Sequence, residues 1–143
     1  MNQAFKFESG IQGVATMPET SRQEIIKLPQ TACRMELKTV TNYLANSIFL
    51  DGVDAVEVKR ALASDVPEEL HHAQLPGNRI QQLGGRIPGS LELNFDQQSL
   101  LPPEDPLNIV SVINGVVEAE QSTEELLPLR PRSTSGLHLP PLV

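Results

Sequence analysis

The run Glu69-Leu70-His71-His72 has the spacing most open to chemistry. Glu69 and His72 are three apart, so on a helix both side chains leave one face and can meet one ion. The carboxylate offers charge and a hard oxygen, and the imidazole a borderline nitrogen. Together they suit iron, manganese or zinc. The same spacing also fits a solvated surface pair, and His71 is read as a surface residue. Two further acids bear on the choice. Glu36 stands seven residues before Tyr43, so both point the same way two turns apart, and its neighbours Met35, Val40 and Leu44 are apolar. Glu36 is therefore expected at or beside a buried stripe, and Glu120, after Val116 and Val117, likewise. An unpaired buried carboxylate is costly, so inward-facing acids on several helices usually share a cation. The plain alternative is that both acids border the core and reach solvent.

Three amphipathic helices would position these residues. Apolar residues at three-and-four spacing predict a first helix over 22–50, with Pro29 either kinking it or lying near its first turn. Asp51-Gly52 reads as a turn, and Asp54 with Glu57 as a capping box for a second helix over 54–83. Pro67 and Pro76-Gly77 interrupt that helix, and Asp65 with Glu68 could cap it anew. Gly84-Gly85 ends it. Residues 86–104 carry Pro88-Gly89 and Pro102-Pro103 and read as a long crossing connection. Asp105, with Pro106 in the first helical position, is expected to cap a third helix over 105–127. Residues 1–21 read as a loose arm. Residues 128–143 are rich in proline, carry no acid and read as a disordered tail.

Composition bounds the rest. The chain of 143 residues suits one domain, and 39% hydrophobic residues can build a core. With aromatics at only 3%, that core must be Leu, Ile, Val and Ala, which favours an all-α fold of helices packed on helices. A net charge of −7 repels phosphate backbones and favours cations, so no nucleic-acid partner is expected. The lone Cys33 excludes an intramolecular disulfide and a Cys-rich metal site. Met1 to Met17 lacks the pattern of a signal peptide, and no run of about 18 apolar residues exists. A soluble cytoplasmic protein with no membrane partner is the expectation.

Glu36-x6-Tyr43, followed by SIFLDGVDAVEVKRALASDVPEELHHAQ, NRIQQLGG and VVEAEQ, resembles the ferritin-like di-iron family. Bacterioferritin and related bacterial ferritins are most similar, over about residues 22 to 121. The resemblance implies a helical bundle with a long crossover between its second and third helices. It also implies two irons inside the bundle. Glu36 would be the terminal ligand from the first helix, Glu69 a bridging carboxylate, His72 the nitrogen ligand, and Glu120 the terminal ligand of the opposite half. Tyr43 matches the tyrosine beside the metals. The implied activity is ferroxidation, the oxidation of Fe(II) to Fe(III) by O2 or H2O2, with iron stored inside a homo-oligomeric shell. The chain also departs from the family. Leu70 stands where haem-binding members place methionine, so no haem is expected. Pro29 and Pro76-Gly77 fall where the family keeps unbroken helices. The fourth helix, with its second Glu-x-x-His, has no counterpart, His138 lacks a partner at that spacing, and the likeness stops after Gln121. A second expectation follows: a structural or interaction subunit, or a truncated fragment, whose metal site is incomplete and inactive.

Overall fold

In the computed structural model, residues 17–94 and 96–126 are described, and they form three α-helices and no strand. The all-α class expected from composition is therefore observed. The expected tail over 128–143, with His138, lies outside the described residues, as do residues 1–16 of the expected arm. The arm's last residues, 19–21, belong instead to the first helix.

Helix α1 (Glu19–Phe49) starts three residues earlier than the periodicity predicts. Glu19 lies in its first turn, where a negative charge meets the positive end of the helix, and it accepts hydrogen bonds from Arg22 and from Gln23 Nε2. Pro29 lies inside α1 without ending it, and Pro67 and Pro76 lie inside helix α2 (Ala55–Gln82), which also runs on. The expected breaks do not occur. The reason is tertiary. Each proline costs roughly 3 kcal/mol in an isolated helix, but the two long helices bury a shared face along their length, and that face sets the path of the backbone. Ile26, Cys33, Ile80 and Leu83 form one apolar cluster of that face.

The caps differ from expectation. Asp54 makes no side-chain capping bond; the turn is closed by Ala55 N–H donating to Gly52 O (3.2 Å), with Gly52 at φ +92°. Asp105 accepts from Leu107 N–H, two residues before helix α3 (Ile109–Leu126), and Asn108 Oδ1 accepts from Ser111 N–H (3.2 Å). Asn108, not Asp105, therefore caps α3. The Gly84-Gly85 stop is as expected: Gly84 takes φ +71° and Gly85 N–H donates to Ile80 O (2.9 Å).

Helices α1 and α2 form an antiparallel hairpin. The connection after α2, with one short 3-10 turn at Ser90–Glu92, returns to the hairpin tip, where Asp51 N–H donates to Pro106 O (3.0 Å). Helix α3 therefore starts beside the start of α2 and runs parallel to it. Polar bonds seat the connection on α1: Lys38 pairs with Asp96, Gln97 bonds both Thr39 and Asn42, and Asn46 Nδ2 donates to Leu100 O (2.8 Å). The core falls into two clusters. One, near the tip, joins Tyr43, Leu50, Val58 and Leu62 to Leu100 and to Val112, Val116 and Ala119 of α3. The other, towards the open end, is the Ile26 cluster. Among the described residues, no helix is long and apolar enough to cross a membrane.

Candidate metal centre

Between the two apolar clusters lies a polar layer. Glu36 is fourteen residues before Leu50 on α1, and Glu69 is fourteen after Ala55 on α2, so an antiparallel hairpin brings them level about 21 Å from the tip. His72 is one turn further along the same face of α2. One donor atom each from Glu36, Glu69 and His72 lie within 4.8 Å of one another. Glu36 is 1% exposed and Glu69 4%, so both carboxylates are held out of water. His72 Nδ1 lies 3.4 Å from Glu69 Oε2, and its Nε2 lies 3.7 Å from Glu68 Oε1.

Tyr43 is one layer nearer the tip and fully buried. Burial drives its hydroxyl well above the ordinary tyrosine range, and the negative charges of Glu120, Glu69, Asp65 and Glu36 push it further the same way. The hydroxyl therefore keeps its proton. Glu120 of α3 is therefore near enough for its charge to act on Tyr43, and its neighbour Ala119 packs in the same apolar cluster as Tyr43. Glu120 itself is half-buried and is not one of the three converging donors. Of the five residues singled out in the sequence, Glu36, Glu69 and His72 meet at one point, and Tyr43 and Glu120 are not among the converging donors. Leu70, where a haem ligand was excluded, is 46% exposed, and His71 is exposed and lies 3.4 Å from Gln74 Oε1.

Two acids of this layer were not marked as site residues. Asp65 and Glu68 read from sequence as a fresh cap around Pro67. In the unbroken helix they are instead one turn before Glu69 and His72, on or beside the same face. Burial, then the charges of Glu68 and Glu69, raise Asp65 to about 6. The signal was present: Asp65, Glu69 and His72 follow four-and-three spacing. The local cost of Pro67 hides it, because a helix divided there would not keep that spacing on one face.

The physical chemistry of the layer favours a cation. At an effective dielectric of about 20, two carboxylate charges 4.8 Å apart repel by about 3.5 kcal/mol, before any cost of desolvation. A divalent ion between them reverses the sign of that term. Donors around a first-row ion stand about 2.0–2.2 Å from it, hence about 3.3–3.6 Å apart in a tetrahedral set, so the group would close on an ion by side-chain movements of about an ångström. Two carboxylates and one imidazole form a mixed oxygen–nitrogen set that such ions accept. The buried Glu36, Glu69 and His72 could hold a metal ion. Compared with known proteins, the chain matches no family model, no curated protein and no solved structure.

Proposed function

We propose that this chain is a ferritin-like iron-binding protein that takes up Fe(II) at the Glu36–Glu69–His72 group and promotes its oxidation to Fe(III) for storage. The observation that carries the proposal is the convergence of two buried carboxylates and one imidazole from two helices. The connection that returns to the hairpin tip before α3, and Glu120 beside Tyr43, agree with the same family resemblance. Iron is the substrate, and each ferrous ion gives one electron to O2 or H2O2. The residues of the chain do the rest. Glu36 and Glu69 supply negative charge that favours the ferric product over the ferrous substrate, His72 orients the ion, and the apolar clusters on either side exclude water. Exposed Ile48, Phe49, Val110 and Val117 are in keeping with assembly of several copies.

The test has two parts. Cobaltous ion, titrated anaerobically and followed by its visible absorption, should bind the wild type and lose at least tenfold in affinity in Glu69→Ala and in His72→Ala. Ferrous ion added in air should then be oxidised faster by the wild type than by either variant. If both variants bind cobalt as tightly as the wild type, these residues are not ligands. A second reading, a structural subunit with an inactive centre, is favoured by the absence of any Glu-x-x-His in the sequence outside the run 68–72. Tight cobalt binding without faster iron oxidation would select it.

A further inference from the structure

The His72 ring stands between two carboxylates of its own helix. Glu69, three residues before it, faces Nδ1 at 3.4 Å; Glu68, four residues before it, faces Nε2 at 3.7 Å. The two nitrogens thus face different acids: Nδ1 faces Glu69, which is one of the converging donors, and Nε2 faces Glu68, which is not. A neutral imidazole that ligates through Nδ1 must carry its proton on Nε2. The His72 side chain is only 12% exposed, so water has little access to that proton.

We propose that Glu68 is a positioning residue for the metal centre. Its carboxylate accepts the Nε2 proton of His72, holds the ring with Nδ1 towards the site, and raises the basicity of the ligating nitrogen. This rests on metal binding by Glu36, Glu69 and His72. The present 3.7 Å is an ion-pair distance, longer than a hydrogen bond. Glu68 is 37% exposed, so its side chain has room to close the gap as the ring draws towards an ion. Helix geometry makes the arrangement possible: residues three and four back lie on either side of the same ring. Carboxylates in this relation to a ligating histidine typically change metal affinity by about 10- to 100-fold. The competing explanation is that Glu68 acts only as a negative charge that attracts cations, and the two differ in what a neutral acceptor can replace.

The experiment titrates cobaltous ion alone into the full chain, at low salt and at about 0.5 M salt, where long-range attraction is screened. Wild type, Glu68→Gln, Glu68→Ala, Glu69→Ala and His72→Ala are compared, with circular dichroism to establish that each is folded. Glu68→Ala should weaken binding by about 10- to 100-fold at both salt concentrations. Glu68→Gln keeps an acceptor oxygen and should recover most of the loss. Two outcomes overturn the proposal while leaving the metal centre intact: Glu68→Ala binding like the wild type, or Glu68→Gln as weak as Glu68→Ala with both deficits vanishing at high salt. If Glu69→Ala and His72→Ala also bind like the wild type, the metal centre itself is refuted, and the role of Glu68 with it.

Discussion

Gly115 of helix α3 is buried against the connection that precedes it, and replacing it with alanine tests how α3 is seated. A Cβ built there lies 1.8 Å from the carbonyl oxygen of Ser99 and 2.9 Å from its carbon. Both are backbone atoms, so no side-chain rotation relieves the contact, and the connection must retreat by at least about 1.2 Å to reach a tolerable 3.0 Å. Next to Ser99 is Leu100, which is fully buried and whose carbonyl accepts from Asn46 Nδ2 at 2.8 Å. Overpacking of this kind costs about 1–3 kcal/mol, and a lost buried hydrogen bond about 1 more. Alanine returns about 1 kcal/mol through its better helix propensity. Gly115→Ala should therefore destabilise the fold by about 1–3 kcal/mol, lowering the melting midpoint by about 3–4 °C per kcal/mol. Gly77→Ala is the control: it is also inside a helix, but nothing lies within 4 Å of its added Cβ, so it should stabilise by about 0.5–1 kcal/mol. Thermal and urea unfolding by circular dichroism measure both. If Gly115→Ala stabilises the chain as Gly77→Ala does, α3 does not approach the connection at Ser99, and the position of Glu120 beside Tyr43 loses its support.

Two more expectations concern α2. Asp65, at about 6 when folded against an ordinary 3.8, binds an extra proton in the folded state between those values, so its contribution falls as pH rises through that window. In the metal-free protein, Asp65→Asn should raise stability near pH 7 by about 1 kcal/mol, the full shift being discounted for partial solvent screening, and should have no effect near pH 3. An equal gain at both pH values would refute the cause given. Pro67 is exposed within a continuous helix, so Pro67→Ala should raise stability by about 1–3 kcal/mol as the missing N–H is restored and the ring removed; an unchanged unfolding midpoint would show that α2 is divided there.

The helices were legible in the sequence because local periodicity carries them: apolar residues recur at three-and-four spacing along α1, α2 and α3, although Leu44, Ile48 and Val117 of that pattern are exposed and Glu36, Thr39 and Asn46 are buried. The pairing of Glu69 with His72 was legible for the same reason, since one helix turn is enough to bring them together. What periodicity could not carry was the outcome at Pro29, Pro67 and Pro76. Local cost argues for breaks there, and only the shared face of α1 and α2 keeps both helices whole. The cap of α3 went the same way, because Asp105 and Asn108 are both good caps and the seat at Pro106 decides which one meets the helix. The level pairing of Glu36 with Glu69 needed the hairpin, whose short turn makes equal counts from the tip meet. Asp65 and Glu68 joined the layer only once α2 proved continuous. Residue type and spacing thus determined which groups could act on a cation, because those depend on one turn of backbone. Their meeting in a space closed to water was decided by the tertiary structure, because it depends on the register of one helix against another.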